Sequence, residues 1–253
     1  MNLEKFLMLI FYSCGYSAYV FGGEQDKEIY ESFKCSKNFS HFEKKHQIPV
    51  DILHSISLRE SGKAHTTHRI RVVWPWSVGV EGEGHYFTNK QEAVTFVKKQ
   101  LKSGKTNIDV GCMQINLKSH PEAFHSIEHA FEPRINVAYG AKFLRNKYDD
   151  LKDWHKAIAH YHSSTPELGF KYKQEVIKIA GKMPEYKINL KKCTDQIYNG
   201  SRYSRSSYAE NDNSLLAIKN HSKNIKVVST AKVNSRNYSR WRSNMMIPIP
   251  KYQ

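Results

Sequence analysis

The sequence predicts a mainly helical fold, of the α or α+β class, with one small β-hairpin or loop excursion. Apolar residues recur at helical spacing in several short segments between residues 49 and 181. Residues 74–90 break this pattern with aromatic residues, valines and closely spaced glycines, which are typical of a hairpin or a long loop. Strands do not alternate with helices, so a parallel α/β sheet is not expected. The 253 residues suffice for one core of ordinary size with extensions.

The first predicted helix follows Pro49 and stops at Gly62. Proline suits the first turn of a helix, and glycine commonly ends one. The apolar stripe of this helix consists of Ile52, Leu53 and Ile56.

The second predicted helix opens at Thr88, which with Gln91 resembles a capping box, and closes at Gly104. Its stripe contains Ala93, Val94, Val97 and Leu101.

Three further helices are predicted toward the end of the folded region. One lies around 135–148 with Val137, Ala141, Leu144 and Tyr148 on one face. Another begins at Asp153, a good capping residue, and the last covers 170–180. We assign these segments to a single helical domain over residues 32–195.

The two ends of the chain differ from this region. Residues 1–23 combine Lys5, a short apolar run and small residues, which predicts a secretory signal, or alternatively an uncleaved anchor. Residues 196–253 are rich in Ser, Asn and Lys and predict a disordered basic tail. The net charge is +15, and residues 182–253 alone hold 14 Lys/Arg against 4 Asp/Glu. An anionic partner is therefore plausible.

Export permits disulfides, and Cys35, Cys112 and Cys193 remain after the signal. Cys35 and Cys193 flank the domain, so we expect a bridge between them that clamps its ends. Cys112 lies in an apolar segment and is expected to be a buried free thiol. The alternative is three unpaired cysteines.

Glu60 continues the apolar stripe of the first helix, because it follows Ile56 by four residues. Partial burial raises the pKa of a carboxyl, and a raised pKa is what a general acid needs at neutral pH. The alternative is an ordinary surface charge. No partner carboxylate is evident: Asp51 is out of phase, while Glu81, Glu83 and Asp109 fall in predicted loops and stay open.

The stretch "DVGCMQINLKSHP", residues 109–121, is the second unusual feature. Gly111 gives backbone freedom, and Gln114 and Asn116 place amides around an apolar Ile115. Amides suit sugars, because they donate and accept hydrogen bonds without adding charge.

Three stretches, "SLRESG" (57–62), "DVGCMQIN" (109–116) and "AIAHYHSSTPELGFKY" (157–172), resemble in order and spacing the motifs of the SLT-type lytic transglycosylases of the lysozyme-like superfamily. The stretch "WPWSVGVEGEGHYF" (74–87) resembles the aromatic insertion of a bacterial branch of that family. The resemblance covers roughly residues 32–181 and implies an α+β lysozyme-like fold.

The resemblance implies cleavage of the β-1,4 bond between N-acetylmuramic acid and N-acetylglucosamine in peptidoglycan with one glutamate. Glu60 would protonate the leaving oxygen and then, as a base, take the proton of the C6 hydroxyl that attacks C1. The product would be a 1,6-anhydromuramyl end.

Substrate-binding roles also follow from the resemblance. Ser61 would steady substrate or carboxylate, Gln114 and Asn116 would contact the glycan, and Met113 would line the floor. Tyr161 would hydrogen-bond the catalytic carboxyl, and His162 stands where the family often has Asn. Aromatic contacts with sugar rings would come from Tyr86, Phe87 and Trp76, for which core packing is the alternative.

No metal site is expected, because His125 and His129 lack a third ligand at usual spacing, and no cofactor is needed. The expected partner is the glycan strand of peptidoglycan, with membrane association through the N-terminus and an envelope-machine partner through the tail as further possibilities. Nucleic-acid binding, which the basic tail would otherwise suggest, is not expected. The expected location is the periplasm, with or without an inner-membrane anchor.

Two other functions share these features. A hydrolytic muramidase would cleave the same bond with water, and the sequence does not separate it from a transglycosylase. A wall-docking assembly factor of an envelope-spanning machine would open the wall locally while its tail binds a partner.

Overall fold

The computed structural model describes the backbone of residues 21–204 and the side chains of residues 27–196. Helices dominate this part of the chain and the strands have only two to four residues, so the mainly helical α+β class is confirmed. The elements are, in order, α1 (Phe21–Ser36), α2 (Phe39–Lys45), α3 (Ile52–Glu60), β1 (Gly62–Ala64), β2 (Arg71–Val73), β3 (Ser77–Val80), β4 (Glu83–Tyr86), α4 (Lys90–Lys102), β5 (Ile108–Val110), β6 (Ile115–Asn116), α5 (Ile127–Ala130), α6 (Pro133–Leu151), α7 (Trp154–His162), α8 (Pro166–Gly181) and α9 (Met183–Ser204).

The strands form two small antiparallel sheets. The predicted hairpin is present as β3 and β4, with Ser77 opposite Tyr86. It belongs to a four-stranded sheet in the order β4-β3-β5-β6, while β1 pairs with β2. Strands β1, β2, β5 and β6 were not predicted, because strands of two or three residues are too short to show alternation.

The predicted helices are present, with corrections at three starts, and the last of them, α8, begins at Pro166 rather than at residue 170. Helix α3 begins after Asp51, which is left-handed with φ 70°, rather than at Pro49. The N-cap of α4 is Asn89 and not Thr88, because the Asn89 side chain accepts the Glu92 N–H at 3.0 Å. Asp153 caps α7 as predicted, accepting the N–H groups of His155 and Lys156.

Two hydrophobic clusters fill the interior. One lies among the helices and contains the stripes of α3 and α6, with Ile52, Leu53 and Leu144 all fully buried. The other lies between the four-stranded sheet and α4, and includes Val97. Leu101, predicted for the α4 stripe, is instead 38% exposed.

The predicted cysteine pairing is wrong. Cys35 pairs with Cys112, 77 residues later, and Cys193 is the free buried thiol. Cys35 and Cys112 lie in the helical cluster, whereas Cys193 of α9 packs into the sheet-side cluster. Cys35 and Cys193 lie near the two ends of the domain in the sequence, but they do not lie together in space.

The terminal helices extend past the predicted domain limits. Helix α1 starts at Phe21, and its Ile29 is buried before residue 32 is reached. Helix α9 runs to Ser204, so it continues into the segment predicted as a tail. The signal segment before residue 21 and the tail after residue 204 lie outside the described residues. Within 21–204, no helix combines the length and apolar character required to cross a membrane.

Candidate active site

A cleft of about 610 Å³ lies between the four-stranded sheet and helices α6 and α7. Glu60 reaches it from the end of α3, and the strands β5 and β6 form one wall. The cleft is lined by Glu60, Asn107, Asp109, Gln114, Ile115, Asn116, Ser119, His120, Phe143, Lys147, His160, Tyr161, His162, Ser163 and Ser164.

Glu60 is placed by the packing of its own helix. Residues 52–58 of α3 are all buried, and α3 packs on α8, so the helix is held rigidly up to its last turn. Glu60 is the final residue of the helix and is only partly exposed, toward the cleft. Its neighbour Arg59 lies at the surface and forms an ion pair with Glu175 of α8.

Burial of its carboxyl raises the pKa of Glu60 to about 7, and the negative charge of Asp109 acts in the same direction. The Tyr172 hydroxyl and the Arg59 guanidinium lower this pKa, because both stabilise the charged form. A large fraction of Glu60 is therefore protonated at neutral pH. A glycan that displaced water from the cleft would strengthen the burial effect.

Asp109 is the second carboxylate of the cleft. It lies on β5, and its Oδ1 accepts a hydrogen bond from the Asn116 amide at 3.0 Å. Burial raises the pKa of Asp109, while the Asn116 hydrogen bond and the charge of His162 lower it. The structure thus selects one of the three carboxylates that the sequence left open. Glu81 and Glu83 lie at the exposed turn of the β3–β4 hairpin, away from the cleft.

The two predicted amide residues line the cleft but are partly committed to the protein. The Gln114 amide nitrogen donates to the carbonyls of Ser77 at 3.1 Å and Gly111 at 3.0 Å, which leaves its oxygen as the group for a ligand. Asn116 donates to Asp109 and to Asn107, and its oxygen accepts the Ser119 N–H at 2.9 Å. Asn116 therefore mainly positions Asp109.

A buried asparagine that sequence reasoning missed supports this wall. Asn136 of α6 is 0% exposed, and its side-chain oxygen accepts the Met113 N–H at 2.8 Å. Its nitrogen donates to the carbonyls of Val110 and Ala130. Gly111 has φ 80°, and a Cβ there would lie 2.5 Å from the Asn136 nitrogen. The available signal was a polar residue beside Val137 on the apolar face of α6.

Ser61 and Met113 do not contact the cleft, which corrects their predicted roles. Ser61 is 0% exposed, and its hydroxyl donates to the Cys112 carbonyl at 2.8 Å. Ser57 donates to the same carbonyl at 2.7 Å, so α3 is tied to the "GCMQIN" segment. Met113 is also fully buried, because it packs against Gly140 of α6 behind the cleft wall.

The tyrosine that acts on the Glu60 carboxyl is Tyr172, and not Tyr161 as predicted. The Tyr161 hydroxyl donates to the Met113 carbonyl at 2.9 Å, so its proton is not directed at Glu60. Tyr172, buried in α8, is the tyrosine whose hydroxyl stabilises the Glu60 carboxylate. That hydroxyl is buried and has no other hydrogen-bond partner of ordinary geometry among the described residues, so no competing acceptor draws its proton away from Glu60. His162 lines the cleft and stacks on Tyr172 with ring centroids 4.8 Å apart.

The aromatic residues proposed to stack on sugars lie elsewhere. Trp76 is buried, and its indole N–H donates to Glu31 at 2.7 Å. Phe87 packs on Phe96 with ring centroids 4.8 Å apart, so core packing was the correct alternative for both. Tyr86 is 48% exposed but does not line the cleft, and its hydroxyl donates to the Gly62 carbonyl.

A different aromatic group lines the cleft on its α6 side. Phe143 contacts Tyr161 edge-on at 5.4 Å between centroids and His120 at 4.8 Å. The Lys147 amine lies 5.1 Å from the Phe143 ring centroid. Phe143 and Lys147 are four residues apart on one face of α6, a spacing that could have suggested a shared surface.

In the described part of the chain, no group of three or more His, Cys, Asp or Glu side chains is arranged to hold a metal ion. His125 and His129 stack on each other with ring centroids 4.9 Å apart.

Comparison with known proteins agrees with this geometry. The family model of the transglycosylase SLT domain matches residues 79–183, which include both cleft strands and the helices α6, α7 and α8. The match begins after Glu60, whose place in the site therefore rests on the geometry described above. No curated protein and no solved structure matches the chain. Residues 79–183 thus match the transglycosylase SLT domain, and this match indicates a peptidoglycan-cleaving function of the lytic transglycosylase type.

Proposed function

We propose that the protein cleaves the β-1,4 bond between N-acetylmuramic acid and N-acetylglucosamine without water, and leaves 1,6-anhydromuramyl ends. The observation that carries this proposal is the carboxyl of Glu60, which lies in the glycan-sized cleft with a pKa of about 7. A group with this pKa exists in both forms at neutral pH, so one residue can serve as acid and as base.

In the first step the Glu60 proton passes to the glycosidic oxygen, and the bond from C1 of the muramyl residue to that oxygen breaks. Positive charge then develops at C1. The negative charges of the Glu60 carboxylate and of Asp109 stabilise it. In the second step the C6 hydroxyl of the same residue attacks C1, and its proton returns to Glu60. The nucleophile belongs to the substrate, so it is already held near the reacting carbon.

Tyr172 and Asp109 set the balance between these two roles. The Tyr172 hydroxyl stabilises the carboxylate that forms after proton donation, whereas the Asp109 charge favours the protonated acid. Burial of the carboxyl is what raises the Glu60 pKa to about 7, and the two groups then shift this pKa in opposite directions. The oxygen of Gln114 and the ring of Phe143 are the groups that we assign to binding the glycan.

A hydrolytic muramidase is the second candidate, and Asp109 is the observation that favours it. A carboxylate facing the general acid can hold or activate a water molecule for attack on C1. The same cleft would then release ordinary reducing ends. The two candidates differ only in the nucleophile, so product analysis separates them.

We also propose that the protein acts outside the cytoplasm, in the periplasm. The Cys35–Cys112 disulfide supports this location, because such bonds persist in oxidising compartments. An inner-membrane anchor at the N-terminus and a partner bound by the basic tail belong to the same proposal.

The test is mass spectrometry of fragments released from purified peptidoglycan by the full-length protein and by Glu60→Gln. We expect anhydromuramyl ends from the parent and a loss of kcat/KM of about a thousandfold in Glu60→Gln, the size typical of a lost general acid–base. Glu83→Gln, which removes an exposed carboxylate outside the cleft, should behave like the parent.

Reducing ends in place of anhydromuramyl ends would establish the hydrolase. In that case Asp109→Asn should abolish cleavage, because water would no longer be activated. Cleavage by Glu60→Gln at the parental rate would reject both mechanisms.

A further inference from the structure

A second, smaller cavity opens beside the glycan cleft. Its volume is about 240 Å³, and it lies between α7 and the first turns of α8. His160, Ser163 and Ser164 line both this cavity and the glycan cleft, so the two share one wall. A substrate that occupies the cleft can therefore extend a branch into the cavity.

The lining of this cavity is basic. It includes Lys156, Lys173, His155 and His160, together with the ring of Phe170, which is 50% exposed. The Lys173 amine lies 4.3 Å from the Phe170 ring centroid, which positions the amine at the cavity. Among the described side chains, neither lysine forms an ion pair.

The acid whose charge acts on Lys173, Asp153, already accepts hydrogen bonds as a helix cap. One carboxylate oxygen of Asp153 accepts the N–H groups of His155 at 2.7 Å and Lys156 at 3.1 Å as the cap of α7. Burial lowers the pKa of Lys173, and the charge of Asp153 opposes that shift. The Lys173 amine is thus partly desolvated without a direct carboxylate partner, which favours an anionic ligand.

We propose that this cavity is a subsite for the peptide stem of peptidoglycan and binds one of its carboxylates. The inference rests on the proposed function, because it is the muramyl residue in the cleft that carries the stem on its lactyl group. The sugar hydroxyl and acetamido groups are uncharged, so they would form no ion pair with two lysines. The stem bears free carboxylates, which would. The Phe170 ring would pack on the apolar part of a stem side chain.

The first measurement compares kcat/KM on glycan oligomers with intact stems and on the same oligomers after an amidase has removed the stems. The proteins are the full-length parent, Lys173→Gln and Lys178→Gln, which removes an exposed charge from the last turn of the same helix. We expect Lys173→Gln to lose about tenfold on the stem-bearing substrate, as for a lost charge-assisted hydrogen bond, and to match the parent on the bare glycan. Lys178→Gln should match the parent on both.

The second measurement is calorimetric titration of the same proteins with N-acetylmuramyl tetrapeptide and with N-acetylmuramic acid. We expect tighter binding of the tetrapeptide, and loss of that preference in Lys173→Gln. This readout does not need cleavage, so it tests the subsite even if the parent cleaves neither substrate and the proposed function fails. Equal losses on both substrates, or no preference for the tetrapeptide, would overturn the subsite alone.

Discussion

At the scale of single residues, the chemistry of this protein depends on how three neighbours act on Glu60. Burial raises its pKa, Asp109 raises it further through like charge, and Tyr172 lowers it by stabilising the carboxylate. The acid form is needed for the first step of cleavage. Activity should therefore decline as the pH rises above about 7, where Glu60 loses its proton.

Substitution of Asp109 and of Tyr172 should shift the pH at which activity declines in opposite directions. We call this decline of kcat/KM at high pH the alkaline limb. Asp109→Asn removes a negative charge, so the Glu60 pKa falls and the fall of kcat/KM at high pH begins at lower pH. Tyr172→Phe removes a hydroxyl that favours the carboxylate, so the limb moves to higher pH. The pH dependence of peptidoglycan cleavage measures both. Tyr86→Phe, outside the cleft, is the control, and shifts in the same direction for both variants would contradict this account.

At the scale of elements, the cleft wall depends on how α6 and α3 hold the segment between β5 and β6. The side chain of Asn136, on α6, forms hydrogen bonds with three backbone groups. The hydroxyls of Ser57 and Ser61, at the α3 side, both donate to the Cys112 carbonyl. The positive φ of Gly111 lets the chain turn against Asn136. The turn between β5 and β6 is thereby fixed by side-chain hydrogen bonds from two helices.

Asn136→Ala should lower the free energy of unfolding by roughly 3 kcal/mol, because it leaves buried backbone groups without partners. The urea unfolding midpoint measures this loss. Asn146→Ala, an exposed change in the same helix, should cost less than about 0.5 kcal/mol. Similar midpoints for the two variants would show that the wall does not need Asn136.

At the scale of the whole molecule, the Cys35–Cys112 disulfide joins the N-terminal helix to the centre of the active-site motif. The bridge spans 77 residues, and closing a loop of that length stabilises a fold by about 4–5 kcal/mol in the chain-entropy model. The free thiol of Cys193 lies in the other cluster and contributes no cross-link.

Reduction of the protein, or the double change Cys35→Ser with Cys112→Ser, should lower the free energy of unfolding by an amount approaching that value. Urea unfolding with and without a reductant measures the effect. Cys193→Ser should retain the full response to reductant. A Cys193→Ser protein that no longer responds would instead support the pairing of Cys35 with Cys193.

The sequence predicted well those features that repeat along the chain or that belong to one residue. Helices α4, α6, α7 and α8 were found because their apolar residues recur every three or four positions over several turns. The β3–β4 hairpin was found from its glycines and aromatic residues. The spacing of Glu60 from Ile56 placed it at the edge of a buried face, and the resemblance of "SLRESG" to a family motif singled it out as a candidate general acid.

Features that depend on contact between distant segments were not predictable in the same way. The pairing of Cys35 with Cys112, the approach of Asp109 to Glu60 and the exchange of roles between Tyr161 and Tyr172 all join residues from different elements. Ser61 shows the same limit, because its neighbour Glu60 faces the cleft while Ser61 itself faces the core.

The sequence by itself determined the helical class, since this follows from local spacing, and it identified Glu60 and the segment "DVGCMQIN" as candidate site elements through their resemblance to family motifs. Only the tertiary structure decided which carboxylate and which tyrosine act on Glu60, which cysteines pair, and that a basic cavity shares a wall with the cleft. The physical reason is that pKa shifts, disulfides and cavities arise from distances in space, and the packing of α3, α6, α7 and α8 against the small sheet sets those distances.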